Sequence, residues 1–600
     1  MIEVQGMPAA PGIGIGKLCF APHRKRSIPE YSINKGDVAS ELERLCKAIE
    51  LVDEELLLLH KSLGDSDVEK VDFITAHRMI LQDPILKDTM ETWLHEKLNN
   101  VESLLLHFTT GMEQHFRGMD NPMFAERSKD IQDVAHRVID ALLGYKRDDS
   151  LSKIKEDCVI VAHDLYPSDT VTLNFRHVKG LVTETGGVTS HTAIMVRAFG
   201  IPAVLGVENL LRNFHRESFS DPCLVVIDGN KGKAFLDPDK RTLASYYSLK
   251  KQRSAHFDTY LNALRPKVST KDGQDVYLYT NMGILDELES PLLPSSSGIG
   301  LFRSEFLFPE KIPTEEEQYQ AYIKILTSVS SSQEVTIRTT DFGGDKVPGI
   351  GLFAEDNPLL GCRAIRLAMA YPEELFRPQI RAIYRAAAYG ARHGLGKMRV
   401  MLPMISTHGE LLRARDLIDE TLKDLKTEVP EIPIGAMIEL PSAVLCSDII
   451  AKSVDFFSIG TNDLVQYTLG VDRVNEKVAH LYDPLQFGVL KLIRITIANA
   501  NRAGIPVSMC GEMAGASCAT AILLGLGLRH FSMASYGLPE IAHAICNYDI
   551  EECQEFAELY LSMRDSDTAR EYLLEWHKER NITLDIPGWG ERGSRNSRRF

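Results

Sequence analysis

Long amphipathic stretches distinguish the first quarter of the chain. Between residues 36 and 145, apolar residues recur every three or four positions and glycines are few, as in ASELERLCKAIELVDEELLLLHKSL and ERSKDIQDVAHRVIDALLG. This spacing is typical of helices that bury one face against each other. We therefore predict a helical bundle over residues 31–145.

Short apolar runs replace this pattern on both sides of the bundle. GIGIGKLCF near the start of the chain, and CVIVAHD, GLVTE, PAVLGV and CLVVIDG after residue 155, are strand-like segments separated by turns. Such runs indicate buried strands. They predict an α/β domain formed by residues 1–30 and 146–238, with the bundle inserted after its first strand.

The second half of the chain repeats a strand-and-helix unit. Residues 239–265 are charged and predict a linker helix, after which eight segments such as VYLYTNMG, GIGLFR and MRVMLPMIS alternate with longer helical stretches. Eight such units over about 300 residues fit a (β/α)₈ barrel, here residues 266–576. The polar, basic end, residues 577–600, is predicted to be disordered. The predicted fold class is multidomain α/β.

Composition narrows the classes of function. The 600 residues are 44% hydrophobic and 25% charged, which is ordinary for a globular protein, and their formal net charge is −16. That charge disfavours nucleic acid and suits a basic protein partner. No apolar run is as long as a membrane span and the N-terminus lacks a signal layout, so we predict a cytoplasmic protein without membrane insertion. The ten cysteines form no C-x-x-C pair, which disfavours a zinc site and a disulfide framework.

One histidine lies where an apolar strand turns through two glycines into a helix. In VTETGGVTSHTAIMVRAFG, His191 follows Gly186 and Gly187 and is expected in the first helical turn. Free backbone N–H groups and the positive end of the helix dipole stabilise a phosphate there and keep the imidazole neutral and nucleophilic. A histidine that carries a phosphoryl group fits this placement. A capping or core histidine fits the same segment.

Charged residues follow the predicted barrel strands. Parallel strands place such residues together at the carboxyl end of a barrel, where barrel enzymes have their active sites. Arginines there suit a small, multiply anionic substrate, and two carboxylates completed by phosphate oxygens and water suit Mg²⁺. The candidates are Arg303, Arg338, Arg363, Arg473, Glu439, Asp463 and Cys510. Each alone has an ordinary alternative: a solvated arginine, a capping or loop carboxylate, or a small buried cysteine.

Six motifs in a fixed order carry a family resemblance. GGVTSHTAIMVRAFGIPAV, GIGLFRSEFLF, RTTDFGGDK, NPLLGCRAIR, DFFSIGTNDLVQYTLGVDR and MCGEMAG resemble Enzyme I, the phosphoenolpyruvate-protein phosphotransferase of bacterial phosphotransferase systems, and the resemblance runs from about residue 3 to 575. It implies a phosphohistidine domain, an inserted helical subdomain that docks the carrier HPr, a linker helix, and a barrel that binds phosphoenolpyruvate and forms a homodimer.

The resemblance also implies residue roles. His191 is the phosphorylated nucleophile with Thr170 as its hydroxyl partner, Cys510 is the proton donor, and Glu439 and Asp463 are the Mg²⁺ ligands. The phosphoenolpyruvate-contacting positions are Arg303, Arg338, Asn462, Asp463 and Arg473, with Arg363 beside them. The expected reaction transfers the phosphoryl group of phosphoenolpyruvate to His191 and then to a histidine of HPr, with release of pyruvate.

Two further expectations concern motion and docking. A histidine that serves two partners requires its domain to swing between them, and residues 233–239 together with the linker helix are the predicted hinge. In the helical insert, TAHRMILQDP at residues 75–84 resembles the docking helix of the family. His77 is the candidate contact for a basic carrier surface, and plain packing between helices is the alternative.

Three positions depart from the family pattern: Ser304 replaces the usual Thr, Val188 a common Arg, and Cys362 a Trp. Two other classes of protein share part of this pattern. Pyruvate phosphate dikinase and phosphoenolpyruvate synthase share the phosphohistidine domain and the barrel, but they also need an ATP-binding domain, and the helical region has no glycine-rich phosphate loop. A silent regulatory protein that senses phosphoenolpyruvate is disfavoured because His191 and the barrel residues are retained.

Overall fold

The computed structural model contains two compact units, residues 1–250 and 251–600. Each unit has hydrophobic cores of its own. The structure describes residues 1–10, 12–21, 28–62, 74, 77–117, 122–145, 154, 156–165, 177–186, 196, 200–210, 223–307, 312–343, 357–425, 429–473, 475, 478, 481–580, 582 and 584.

An eight-stranded sheet lies in the first unit. Its strands are β1 Ile2–Gln5, β2 Met7–Ala10, β3 Ile13–Phe20, β4 Cys158–Ala162, β5 Val178–Thr183, β6 Ala203–Leu205, β7 Leu224–Asp228 and β8 Lys233–Leu236. Their order is β1-β8-β7-β3-β4-β5-β6-β2, in which β3 to β6 run parallel and the outer pairs are antiparallel. Alternate side chains of β4 enter two different cores, because this strand is buried on both faces of the sheet.

Four long helices within the described residues come between β3 and β4 in the sequence. They are Val38–Ser62, Pro84–Lys97, Val101–Arg117 and Pro122–Leu142. Because β3 and β4 are neighbours in the sheet, the helices form an insertion between two adjacent strands. Their common core contains Leu45, Leu56, Leu94 and Leu105.

Two details of the first unit correct the expectations. His77 is fully buried, whereas the nearby Met79 is 67% exposed. His77 falls on the apolar side of its helical segment, so it does not offer a surface contact to a carrier. Residues Lys233–Leu236 are strand β8, which is hydrogen-bonded to both β1 and β7. This part of the predicted hinge is therefore held within the sheet, and the helix Lys240–Ala263 follows it.

A closed ring of eight parallel strands forms the second unit. These are β10 Asp275–Met282, β11 Gly298–Arg303, β12 Glu334–Arg338, β13 Lys397–Leu402, β14 Ile434–Ile438, β15 Phe456–Ile459, β16 Val507–Met509 and β17 His530–Met533. β10 pairs with both β11 and β17 and closes the barrel, and β9 Lys267–Ser269 adds to β10 in antiparallel fashion. All eight predicted segments coincide with barrel strands.

Helices follow the strands and cover the barrel. They are Glu315–Thr327, Ile365–Ala370, Arg377–His393, His408–Lys423, Pro441–Leu445, Ser447–Ile450, Thr461–Leu469, Phe487–Ala503, Ser517–Gly525, Leu538–Cys546, Ile550–Ser562 and Ser566–Glu579. The last helix extends into the segment predicted to be disordered, and residues 585–600 lie outside the described residues. The multidomain α/β fold class is confirmed, while the exact domain limits stay predictions. None of the helices in the described part of the chain is both long and apolar enough to cross a membrane.

Candidate active site

The barrel strands bring most of the predicted site residues to one end of the second unit. Arg303 and Arg338 are the last residues of β11 and β12 and are partners in the register of these strands. Glu439 follows β14, Cys510 follows β16, and Asp463 lies in the first turn of the helix after β15. Because the strands are parallel, all five residues lie at the carboxyl end of the barrel.

Two buried arginines share one carboxylate at this end. Arg338 Nη1 lies 3.0 Å from Asp341 Oδ2, and Arg363 Nη2 lies 3.0 and 3.1 Å from the two oxygens of Asp341. Arg338 also pairs with Glu305, and Arg363 Nη2 lies 3.3 Å from Asp463 Oδ2. Neither arginine is more than 9% exposed. Burial strengthens these charge-assisted hydrogen bonds, so both guanidinium groups are held in place without a ligand.

Arg363 reaches this cluster from a loop that lies against the end of the β12 segment. Its backbone forms an isolated antiparallel bridge with Gly343, where a Cβ atom would lie 2.2 Å from the Cβ of Arg363. Only glycine permits this approach. Arg363 Nη1 donates to the hydroxyl of Tyr467 at 3.3 Å. The neighbouring Cys362 packs against an apolar cluster that includes Phe342, so this departure from the family pattern has a packing role.

Glu439 is a buried carboxylate in a prepared environment. Its Oε1 accepts a hydrogen bond from the backbone N–H of Met404 at 2.6 Å, and Met404 has a φ of +55°, a strained conformation that turns this N–H toward the carboxylate. A Cβ on Gly460 would lie 2.7 Å from Glu439 Oε2, so glycine leaves room for this oxygen. Burial, and then the negative charges of Asp463 and Asp341, raise the pKa of Glu439. Within the described residues, no three or more His, Cys, Asp or Glu side chains are grouped to hold a metal ion.

Cys510 is 3% exposed and has a defined set of neighbours. Ser458 Oγ donates to its sulfur at 3.1 Å, and the Cys510 thiol lies 3.7 Å from the carbonyl oxygen of Ile459. Asn281 Nδ2 donates to the Cys510 carbonyl at 2.9 Å and fixes the main chain. Burial raises the pKa of Cys510. The group is therefore a thiol near neutral pH, which is the form that can donate a proton.

Asn462 and Arg473 lie toward the edge of this end of the barrel. Asn462 Oδ1 accepts a hydrogen bond from the backbone N–H of Glu512 at 3.0 Å, and its carbonyl accepts one from the Tyr482 hydroxyl at 3.1 Å. Arg473 is exposed in a turn, and its backbone N–H donates to Gln466 Oε1 at 3.3 Å. The structure thus places Arg473 outside the buried cluster of ion pairs.

Comparison with known proteins identifies the family. The N-terminal, mobile and PEP-binding domains of PEP-utilising enzymes match residues 5–127, 154–232 and 261–550. The phosphoenolpyruvate-protein phosphotransferase of Listeria monocytogenes serovar 1/2a is 39% identical over 588 residues, which cover 96% of this chain and 100% of the relative. The chain belongs to the phosphoenolpyruvate-protein phosphotransferase family. The phosphoenolpyruvate-protein phosphotransferase of Bacillus subtilis is 36% identical over 586 residues, with the same coverage of both chains. The predicted resemblance is confirmed.

The PEP-binding domain of this family spans the whole cluster, including residues that the sequence analysis missed. Asp341 pairs with both Arg338 and Arg363, and Glu305 pairs with Arg338. The hydroxyl of Tyr467 accepts a hydrogen bond from Arg363. Asp341 lies within RTTDFGGDK and Glu305 within GIGLFRSEF, two of the family motifs. In both motifs an acidic residue follows an arginine by two or three positions, just beyond a barrel strand. This spacing could have identified Glu305 and Asp341 as ion-pair partners of the arginines.

His191 and Thr170, the family's predicted nucleophile and its partner, lie outside the described residues, as does Val188. Their roles stay predictions. The described chain leads into the predicted turn: β5 ends at Thr183, and Gly186 has a φ of +102°. This conformation is one that glycine adopts readily, as the sequence predicted for a sharp turn after the strand.

Proposed function

We propose that this chain transfers the phosphoryl group of phosphoenolpyruvate to its own His191 and then to a histidine of an HPr-type carrier, releasing pyruvate in the first step of a phosphotransferase system. The observation that carries the proposal is the meeting of Arg338, Arg363, Glu439 and Cys510 at one end of the barrel. These groups lie in the part of the chain that matches the PEP-binding domain. Together they suit a small substrate with two anionic groups and an enol that must be protonated.

The arginines bind and orient the substrate. Phosphoenolpyruvate carries a phosphate and a carboxylate, and the planar guanidinium group matches both in bidentate geometry. Arg303 and Arg338 are neighbours on adjacent strands, and Arg363 is joined to Arg338 through Asp341. Phosphoryl transfer through a loose transition state depends mainly on positioning and charge neutralisation. A preassembled set of guanidinium groups supplies both.

Glu439 and Asp463 are the residues that would hold Mg²⁺. Carboxylate oxygens are the ligand type that this ion prefers, and two of them leave positions for substrate phosphate oxygens and water. Gly460 has no side chain that would crowd Glu439 Oε2, so this oxygen can keep its place beside the helix that carries Asp463. When bound, Mg²⁺ neutralises phosphate charge.

Cys510 protonates the product. When the bond between phosphorus and the bridging oxygen breaks, enolpyruvate is released from the phosphoryl group and must gain a proton on its methylene carbon to become pyruvate. A thiol that burial keeps protonated is a suitable general acid. The hydrogen bond from Ser458 at 3.1 Å orients the sulfur.

His191 accepts the phosphoryl group and passes it to the carrier. A neutral imidazole attacks the phosphorus in line, assisted by the hydroxyl of Thr170, and the phosphohistidine then meets a histidine of HPr. The net charge of −16 favours a basic carrier surface. Because His77 is buried, we assign the carrier contact on the helical insert to exposed residues of the same segment, such as Met79.

The proposal also includes a homodimer formed through the barrel and a cytoplasmic location. Support for the dimer comes from exposed apolar side chains on neighbouring barrel helices. Leu445 is 67% exposed, Ile449 45% and Leu412 43%. Apolar side chains grouped at a surface are typical of a contact with another chain.

Incubation with radiolabelled phosphoenolpyruvate and Mg²⁺ tests the proposal. We expect wild type to take up label that moves to added HPr, and His191→Ala to take up none. His177→Ala is the matched control, since His177 lies just before β5 in the same unit and is partly exposed. It should be labelled like wild type. Equal labelling of His191→Ala and wild type would refute the proposed role of His191.

A further inference from the structure

A buried hydrogen-bond network joins a barrel helix to the ends of β11 and β12. Gln379, on the helix before β13, donates through Nε2 to Ser304 Oγ at 2.9 Å and to the Tyr322 hydroxyl at 3.1 Å. Its Oε1 accepts a hydrogen bond from the backbone N–H of Thr340 at 3.0 Å. Ser304 Oγ in turn donates to the carbonyl of Arg338 at 2.7 Å. Gln379, Ser304, Tyr322 and Thr340 are called the Gln379 network below.

The directions of these hydrogen bonds are determined by chemistry. The backbone N–H of Thr340 can only donate, so it must face the amide oxygen, which leaves the amide NH₂ for the two hydroxyls. Each hydroxyl accepts from the amide and donates onward, Ser304 to the carbonyl of Arg338 and Tyr322 to Gln318 Oε1 at 3.3 Å. All members of the network are buried, so water does not replace a lost partner.

The network holds the main chain beside the substrate-binding arginines. Ser304 directly follows Arg303, and Thr340 lies between Arg338 and Asp341. Its hydrogen bonds to these two segments involve the main-chain atoms of Arg338 and Thr340 rather than the arginine side chains. The network therefore fixes the backbone positions from which the arginine side chains extend, and it leaves the guanidinium groups available to a ligand.

We propose that Gln379 is a positioning residue for the reaction: through Ser304 and Thr340 it fixes the strand ends that carry Arg303 and Arg338. This inference rests on the proposed function and extends it to a residue that does not touch the substrate. Ground-state binding of an anion tolerates small shifts of an arginine, whereas the transition state requires an accurate placement. Loss of the network therefore lowers kcat more than it raises KM.

Two methionine variants test the proposal. Gln379→Met keeps a similar volume and removes the amide. Gln333→Met is the matched control, because Gln333 is also buried and donates to the carbonyls of Leu293 and Ser296 at 2.8 and 3.0 Å, but it precedes β12 at the opposite end of the barrel. We expect both variants to lower the melting temperature. Only Gln379→Met should lower kcat, by roughly 10- to 100-fold, with KM for phosphoenolpyruvate changed by less than about threefold.

Two serine variants give a second, milder test. Ser304→Ala removes the hydrogen bond to the Arg338 carbonyl and should lower kcat by roughly tenfold. Ser304→Thr keeps the hydroxyl and should retain the kcat of wild type. A purely structural role would move the melting temperature without this split between the alanine and threonine variants. The pair also decides the matter if Gln379→Met does not fold.

The measurements are single-turnover labelling from phosphoenolpyruvate, steady-state kcat and KM, and the melting temperature. A wild-type chain that takes up no label overturns the proposed function and this inference together. Labelling of wild type with equal kcat for Gln379→Met and Gln333→Met overturns this inference alone. The same conclusion follows if Ser304→Ala has the kcat of wild type.

Discussion

Replacing Asp341 with asparagine tests whether one carboxylate holds the two buried arginines. Asp341 lies 3.0 Å from Arg338 Nη1 and 3.0 and 3.1 Å from Arg363 Nη2. Asparagine keeps the shape and one acceptor but loses the charge. A hydrogen bond to a charged group contributes about 1.5–3 kcal/mol. In this variant Arg338 is still paired with Glu305 and Arg363 with Asp463. We therefore expect the loss of transition-state stabilisation to be near the lower end of this range, about 2 kcal/mol, which corresponds to a kcat lowered about 30-fold.

The division of this loss between kcat and KM is the informative part of the assay. Asp341→Asn makes the site one charge more positive, so the attraction of an anionic substrate is not weakened and KM should change by less than about threefold. Glu334→Gln is the control, because Glu334 is the first residue of β12, the strand that precedes Asp341, and lies at the other end of the barrel. Its carboxylate accepts hydrogen bonds from Arg399 and Tyr279 at 2.7 and 3.0 Å. A wild-type kcat for Asp341→Asn, or an equal loss in Glu334→Gln, would refute the reasoning.

The other predictions concern the acid, the helical insert and pH. Cys510→Ser should lower pyruvate release about 100-fold in a coupled assay while phosphoenolpyruvate binding by calorimetry stays unchanged. Arg44→Met removes an arginine that lies 2.5 Å from both Glu41 and Glu102 and should lower the free energy of unfolding in urea by about 2 kcal/mol, a value reduced because Arg44 is partly exposed. Burial lowers the pKa of His577 to about 4, so as pH falls below 6.5 the unfolded chain binds a proton first and stability is lost until about pH 4. His577→Gln should remove roughly 2 kcal/mol of the difference in stability between pH 7 and pH 5, and an unchanged difference would contradict this origin.

The strands of the barrel and the residues at their ends could be read from the sequence. A short apolar run bounded by turns indicates a buried strand without knowledge of its partners in the sheet. In a barrel of parallel strands the carboxyl ends all lie on one face, so the residues that follow the strands lie near one another. For this reason the sequence predicts that Arg303, Arg338, Glu439 and Cys510 lie together, and the structure brings them to the same end of the barrel.

Contacts that depend on the path of a loop or on the rotation of a helix could not be read in the same way. The pairing of Asp341 with Arg363 joins residues that are 22 positions apart in the sequence. It depends on a loop that is held by the backbone bridge between Arg363 and Gly343. His77 lies in a short helical segment, HRMIL, which has too few residues for its pattern to show which side is buried. The amide of Gln379 looks like any polar residue of a helix until its partners on β11 and β12 are known.

The balance of charge at the carboxyl end of the barrel bears on how the arginines and a bound cation would share the binding of an anionic substrate. The groups are Arg303, Arg338 and Arg363 against Glu305, Asp341, Glu439 and Asp463. Because burial and the neighbouring carboxylates raise the pKa of Glu439 and favour its neutral form, the three guanidinium groups face three carboxylates, and their positive charge is largely balanced within the cluster. If Glu439 and Asp463 hold a divalent cation, as we propose, the cation would make this end of the barrel net positive, so by linkage the cation and the anionic substrate should each raise the affinity for the other. We therefore expect the carboxylates of Glu305 and Asp341 to fix the geometry of the arginines, and the cation to add to the attraction of the arginines for the substrate.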